Sequence, residues 1–86
     1  MEGQRLILKD GTRIEDGTAG LADGFLWLYF TGWTMQEAAM MAFNPEKTGT
    51  IWFQYGEMED EFVGYTNCVS IMERGAEISV CLKRGN

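Results

Sequence analysis

The pattern of apolar and polar positions predicts a chain built mainly from β-strands. Residues 25–30 (FLWLYF) are apolar at every position, which is typical of a strand buried on both faces in the middle of a sheet. In the last segment, AEISVCLK, the residues Ile78, Val80 and Leu82 alternate with small or polar residues, which predicts a strand with one buried face. Residues 50–55 (TIWFQY) predict a further strand.

The first part of the chain predicts a β-hairpin. An Asp-Gly pair at positions 10–11 separates the segments RLIL and TRIE. Such a pair predicts a two-residue type I′ turn, because both of its residues accept positive φ angles. The turn pairs Leu8 with Arg13 and Ile7 with Ile14.

Glycines and acidic residues define three further segments. Residues 17–24 (GTAGLADG) predict a loop, and residues 56–61 (GEMEDE) predict an acidic turn. Residues 62–73 predict one long strand, or two strands with a bend at Gly64.

The register of the last hairpin can also be predicted. With the turn at residues 74–75, β-branched residues meet on one face and small or polar residues meet on the other. The predicted pairs are Ile71 with Ile78, Val69 with Val80, Ser70 with Ser79, Met72 with Glu77, and Cys68 with Cys81. The two cysteines would then lie directly opposite each other, and a cytosolic location would keep them reduced.

One helix is predicted over residues 34–44. Thr34 and Glu37 form the spacing of a capping box, and the proline that follows Asn44 ends the helix. At about 100° per residue, one broad arc carries the residues predicted to face the core, which are Met35, Ala38, Ala39, Met41, Ala42 and Phe43. Met40 falls on the opposite, polar side of the helix.

These elements predict a single α+β domain over residues 1–86. The expected architecture is a mostly antiparallel sheet of five or six strands, with one short helix packed on one face. The chain has 86 residues, of which 45% are hydrophobic. That is enough for one core and too little for two domains.

The charge balance argues against direct nucleic-acid binding. Seven Lys and Arg residues are scattered along a chain whose formal net charge is −6, whereas phosphate binding requires clustered basic residues. An acidic mimic of nucleic acid is an alternative that this charge allows. The apolar runs are too short to span a bilayer, and the N-terminus has no signal-peptide pattern, so we expect a cytoplasmic protein without a membrane contact.

The residue types exclude several kinds of catalytic site. The chain has no histidine and only two cysteines, which excludes a histidine-assisted nucleophile and a four-ligand zinc site. No glycine-rich phosphate motif is present, so no cofactor or metal is predicted. The carboxylates of Glu57, Glu59, Asp60 and Glu61 leave open a small enzyme with acid–base chemistry. A solvated hairpin tip is the other interpretation of this cluster.

Three residues are candidates for contact with a partner. Met40 is a flexible apolar side chain on the polar side of the predicted helix. Trp33 precedes the helix cap, where it packs against the first turn or contacts a ligand. Trp52 lies on a strand face that the sequence leaves undecided, whereas Trp27 belongs to the fully apolar strand and is predicted to be core.

Four segments follow one another in a defined order: LKDGTRI, GWTMQEAAMMAFNPEKTGTI, GYTNCVSI and EISVCLKR. This order resembles a class of small uncharacterised proteins that prophages and mobile elements of gut Firmicutes encode. In that class a DGT hairpin precedes a short helix that ends near F-x-P, and a GYT strand leads into a final amphipathic strand. The resemblance implies a structural or assembly role among phage head or tail components, and it brings no catalytic residue.

The sequence therefore predicts a non-enzymatic protein-interaction module whose ligand is a protein partner or a second copy of the chain. Its expected location is the cytoplasm of the producing bacterial cell, or the virion if it is a phage component. The alternatives are a small enzyme that uses the carboxylate cluster and an acidic inhibitor that mimics nucleic acid.

Overall fold

The computed structural model describes residues 4–85. In this part of the chain, eight strands and two short helices follow one another. They are β1 (Gln4–Ile7), β2 (Arg13–Glu15), β3 (Thr18–Ala22), β4 (Phe25–Thr31), α1 (Met35–Ala42), α2 (Pro45–Thr48), β5 (Thr50–Tyr55), β6 (Met58–Val63), β7 (Asn67–Arg74) and β8 (Glu77–Lys83).

The strands form two antiparallel sheets of four strands each. Sheet A has the order β2-β1-β5-β6, and sheet B has the order β3-β4-β8-β7. The predicted α+β class and the antiparallel pairing are confirmed, but the prediction of one sheet of five or six strands is wrong. The chain passes from sheet A to sheet B at residues 16–17, returns to sheet A through α1 and α2, and passes to sheet B again at residues 64–66, so two smaller sheets share the strands.

One core lies between the inner faces of the two sheets and α1. Alternate residues of each strand point inward, because successive side chains of a strand face opposite ways. The buried cluster comprises Leu6, Leu8, Ile14, Ile51 and Phe62 from sheet A and its turns, Leu26, Leu28, Phe30, Ile78, Val80 and Leu82 from sheet B, Ala38, Met41 and Ala42 from α1, and Tyr65.

The β1–β2 hairpin has a longer turn than predicted. The N–H of Leu8 donates to the carbonyl of Thr12 at 2.9 Å, and the N–H of Gly11 donates to the carbonyl of Leu8 at 2.9 Å. This is a three-residue turn that ends in a glycine with φ of 91°. The register therefore shifts by one residue, and Leu6 pairs with Ile14, which contradicts the predicted pairing of Ile7 with Ile14 and of Leu8 with Arg13.

The segment predicted as a loop at residues 17–24 is largely strand β3 and its turn. Asp23 and Gly24 have φ angles of 55° and 82°, and they join the paired residues Ala22 and Phe25. A two-residue type I′ turn, which the sequence predicts at positions 10–11, is found instead at the Asp-Gly pair of positions 23–24.

Strand β4 is central in sheet B, as predicted, but only one of its faces is fully buried. Leu26, Leu28 and Phe30 are buried in the core. On the other face Trp27 is half-buried and Tyr29 is exposed. The prediction that Trp27 belongs to the core is therefore wrong.

Helix α1 begins as predicted. The hydroxyl of Thr34 accepts from the N–H of Glu37 at 3.1 Å, and the Glu37 carboxylate accepts from the N–H of Thr34 at 2.8 Å. These reciprocal bonds confirm the capping box. The chain then enters α2 at Pro45, because a proline is well suited to the first turn of a new helix. This second helix was not predicted.

Fewer residues of α1 are buried than predicted. Ala38, Met41 and Ala42 are buried, whereas Met35 and Phe43 are exposed, contrary to the predicted arc. These two residues lie at the ends of the helix, beyond the part that enters the core.

Strand β6 occupies the segment that was predicted as an acidic turn. Only Gly56 and Glu57 form the turn, and residues 58–63 pair with β5. Gly64, with φ of 85°, separates β6 from β7, and these two strands belong to different sheets. Of the two predicted arrangements, the one with two strands is therefore confirmed.

The predicted register of the last hairpin is wrong. Its turn lies at residues 75–76, and Ile71 pairs with Val80. A register shift between Cys68 and Ser70 then places Cys68 opposite Leu82 and Ser70 opposite Cys81. The shift leaves Val69 as an unpaired extra residue, a local feature that cross-strand matching does not reveal.

Candidate functional site

The outer face of sheet A points away from the core and carries a row of hydrogen-bonded polar side chains. Arg5 contacts Glu15 at 3.1 Å between Nε and Oε2, and it donates to Gln54 at 3.4 Å. Gln54 in turn donates to Glu59 at 2.8 Å. This row joins all four strands of the sheet through side-chain hydrogen bonds.

Trp52 lies on the same outer face of sheet A, in the next row. It pairs with Ile7 on one side and Glu61 on the other, and it is half-buried. The row runs from Arg13 through Ile7 and Trp52 to Glu61, so one basic and one acidic side chain stand at its two ends. This mixture differs from the continuous row of carboxylates that a nucleic-acid mimic needs.

The outer face of sheet B carries a ridge of aromatic side chains. Phe25, Trp27 and Tyr29 follow one another along β4 on this face. On both sides of the ridge the paired residues are small. Trp27 lies opposite Gly20 of β3 and Cys81 of β8.

A groove runs over β8 between the aromatic ridge and β7. Ser79 forms its floor, with Tyr29 paired on one side and Met72 on the other. Because neighbouring strands are about 4.8 Å apart, the two walls stand roughly 9–10 Å apart. The groove has a volume of about 460 Å³, which is the size of a pocket that holds one or two large side chains.

The walls of the groove are apolar and accessible to solvent. Tyr29 is 37% exposed and Met72 is 45% exposed, and Trp27, Met35 and Ile71 also line the groove. Its charged end is formed by Glu73, Arg74 and Glu77. The groove thus combines an apolar centre with a charged margin, which is the usual composition of a binding site for a side chain of another protein.

A second, shallower pocket lies beside α1. It has a volume of about 200 Å³ and brings together two of the predicted contact residues, Trp33 and Met40, with Glu37, Met41 and Lys47. Met40 is 69% exposed, so the prediction that it lies outside the core is confirmed. Trp52, the third candidate, lies on sheet A and is not part of this pocket.

Two contacts hold this second pocket in place. Trp33 packs edge-on against Phe30 with ring centroids 5.1 Å apart. The Nζ atom of Lys47 lies 3.4 Å from Oδ2 of Asp10. Hydrogen bonds from Thr12, together with the smaller effect of the Lys47 ammonium, lower the pKa of Asp10 below its ordinary value.

The two thiols lie on different faces of sheet B. Cys68 packs against the core, whereas Cys81 pairs with Trp27 on the outer face and is only 2% exposed. Burial raises the pKa of both thiols, so the reactive thiolate is disfavoured at neutral pH. Both cysteines are free.

The acidic residues of β6 do not converge on one point. Glu59 and Glu61 share the outer face of sheet A, while Asp60 faces the other way and accepts a hydrogen bond from the Tyr55 hydroxyl at 3.2 Å. That bond raises the pKa of Tyr55. Within residues 4–85, no group of three or more Cys, Asp or Glu side chains is arranged to hold a metal ion.

Comparisons with known proteins found no match to a family model, a curated protein or a solved structure. In the described part of the chain, no helix is long and apolar enough to cross a membrane. The groove residues Tyr29 and Met72 were not among the predicted contact residues. The alternation along β4 separates Tyr29 from Leu28 and Phe30, but the sequence does not show which of the two faces is covered.

Proposed function

We propose that this chain is a non-enzymatic protein-interaction module and that it binds its partner through the groove on the outer face of sheet B. The observation that carries this proposal is the pairing of an uncovered aromatic ridge with an adjacent groove. The inner faces of both sheets are already used by the core, and a row of hydrogen-bonded polar side chains crosses the outer face of sheet A.

The proposed occupant is a protein segment with a large apolar side chain and a neighbouring Lys or Arg. The apolar side chain would lie between Tyr29 and Met72, where it loses contact with water. Two carboxylates and one guanidinium, from Glu73, Glu77 and Arg74, border the groove. Together with the chain's formal net charge of −6, they favour a basic rather than an acidic partner.

Photo-crosslinking in the native host tests this proposal and the alternative surfaces together. The crosslinking residue p-benzoylphenylalanine replaces Tyr29, Met40 or Trp52 in three separate variants, one for each surface. We expect a crosslinked protein from the Tyr29 position and none from the other two. A crosslink only from Met40 would show that the partner binds at the pocket beside α1, and a crosslink only from Trp52 would show that it binds on sheet A. No crosslink from any position would contradict the proposal.

The resemblance to prophage-encoded proteins supports a more specific proposal, in which the partner is a phage head or tail component. The crosslinked species identifies the partner directly by mass spectrometry. A phage structural protein would support this assignment, and a second copy of the chain would make the module a homo-oligomer. A host enzyme would contradict the assembly role.

A further inference from the structure

Four strands lie at sheet edges in residues 4–85, and three of them carry features that oppose pairing with another strand. β2 has only three residues, including the charged Arg13 and Glu15. β6 carries three successive acidic residues at positions 59–61, and β7 has a register shift between Cys68 and Ser70. Proteins protect edge strands by these means. Strand β3, with the sequence TAGLA, has no charge, no proline and no register shift.

The turn after β3 determines which of its backbone groups are free. Asp23 and Gly24 form a two-residue turn, so the flanking residues Ala22 and Phe25 exchange hydrogen bonds with each other. Backbone groups alternate in direction along a strand. The N–H and carbonyl groups of Ala19 and Leu21 therefore point away from β4, and no strand of the described chain pairs with that side.

Space for the side chains of an added strand exists on both faces of β3. On the outer face, Gly20 has no neighbouring atom within 4 Å of the position of a Cβ, which leaves room beside Trp27. On the inner face, Leu21 is 56% exposed. It borders a pocket of about 290 Å³ that Phe62 and Tyr65 also line.

The charges around this edge are mainly negative. Asp16 and Asp23 lie just beyond the two ends of β3, and Asp60, Glu61 and Arg84 line the neighbouring pocket. A second copy added antiparallel to β3 would bring its own Asp16 close to Asp23 of the first. Like charges at that position oppose self-pairing, whereas Lys or Arg residues at the ends of a partner strand would be attracted.

We infer that the free edge of β3 binds an extended segment of a partner protein, which adds to sheet B as a fifth strand and carries basic residues at both ends. Backbone hydrogen bonds to Ala19 and Leu21 supply the affinity, and the pocket beside Leu21 accepts an apolar side chain. This site is distinct from the groove of the proposed function, because β4 lies between β3 and β8. Either site can fail its test without the other.

The test uses the acetylated and amidated peptide Lys-Thr-Val-Phe-Val-Thr-Lys, with a control in which both Lys are replaced by Glu. The sequence is palindromic, so the peptide presents the same side chains in either direction. In the free protein, we expect the amide hydrogens of Ala19 and Leu21 to exchange faster than that of Gly20. The basic peptide should slow their exchange by about tenfold or more, and the acidic control should have a much smaller effect.

Leu21→Pro removes one outward N–H while leaving the hydrogen bonds between β3 and β4 intact. The proline variant should lose peptide binding. Leu21→Ala retains the N–H and should therefore keep most of the peptide binding. If the proline variant does not fold, the exchange measurement on the unmodified chain still decides the question.

Three results would overturn the inference. The first is an absence of protection at Ala19 and Leu21 with saturating basic peptide. The second is equal protection by the acidic peptide. The third is protection of these amides by the protein itself at high concentration, which would assign the edge to a second copy of the chain.

Discussion

Gly20 of β3 pairs directly with Trp27 of β4, so the largest side chain on the outer face of sheet B lies next to a residue with no side chain. The tryptophan is therefore covered on neither flank by a bulky neighbour, since Cys81 is its partner on the other side. This relationship leaves an aromatic ridge accessible in the middle of a sheet, and the proposed binding of a partner depends on that access.

Filling the space beside Trp27 should stabilise the fold. Gly20→Thr replaces a flexible residue by a good strand former in open space, and we expect the free energy of unfolding to rise by about 0.5–1 kcal/mol. Gly24→Thr is the matched control. Its φ of 82° is unfavourable for a residue with a Cβ, so it should cost about 1–2 kcal/mol or more. Effects of the same sign in urea denaturation would contradict the assigned turn.

Two neighbouring methionines of α1 should differ in their contribution to stability. Met41 is 1% exposed and Met40 is 69% exposed. Met41→Ala should lower the free energy of unfolding by about 2–5 kcal/mol, because it leaves a cavity in the core. Met40→Ala should change it by less than about 0.5 kcal/mol. Equal costs would mean that the helix is rotated from the orientation described.

The capping box at the start of α1 should contribute measurably to stability. Thr34→Ala removes the acceptor for the N–H of Glu37, and we expect a loss of about 1 kcal/mol in chemical denaturation. Thr34→Ser keeps the hydroxyl and serves as the control. A serine variant as unstable as the alanine variant would show that the hydroxyl does not cap the helix.

The thiols should make the fold less stable at alkaline pH. Burial raises the folded-state pKa of Cys68 and Cys81 above that of the unfolded chain. Their contribution is therefore fully present below the unfolded thiol pKa of about 8.5 and is lost as the pH rises through the folded-state values. The free energy of unfolding should fall more steeply above about pH 8.5 in the wild type than in the double variant Cys68→Ala/Cys81→Ala. Parallel pH profiles would contradict the assigned burial.

Local signals in the sequence were sufficient for some elements of the fold. The capping box needs only Thr34 and Glu37, and both lie within one turn of helix. The inward alternation of Ile78, Val80 and Leu82 was also correct. These predictions depend on residues that are close along the chain, so the rest of the fold does not alter them.

Other elements depend on contacts that the sequence does not display. Strand β3 is made of Thr, Ala, Gly and Leu, and of these only Thr favours strands strongly. The extended conformation of β3 is stabilised by its pairing with β4. The acidic β6 resembles a turn because edge strands carry charges as protection. The turn of the last hairpin lies at residues 75–76 instead of 74–75, and the unpaired Val69 changes the register once more, so the pairs that cross-strand matching suggests do not form.

The candidate site was the least predictable part of the molecule. The predicted helix and its start point to Met40 and Trp33 as contact residues, and the structure brings the two side chains together. The groove residues Tyr29 and Met72 come from strands that are distant in sequence, and β8 lies between them. Whether a strand face is covered depends on the packing of the whole chain, so the open face of sheet B had no signal in the sequence.

The yield of the Tyr29 crosslink in two variant backgrounds measures whether the partner binds in the groove on sheet B. Met72→Glu places a charge on the groove wall, and Met40→Glu places the same charge on α1, at a residue that is more exposed than Met72. Circular dichroism verifies that both variants fold. We expect Met72→Glu to abolish the crosslink and Met40→Glu to leave its yield unchanged. An unchanged yield with Met72→Glu, or a loss only with Met40→Glu, would contradict binding in the groove.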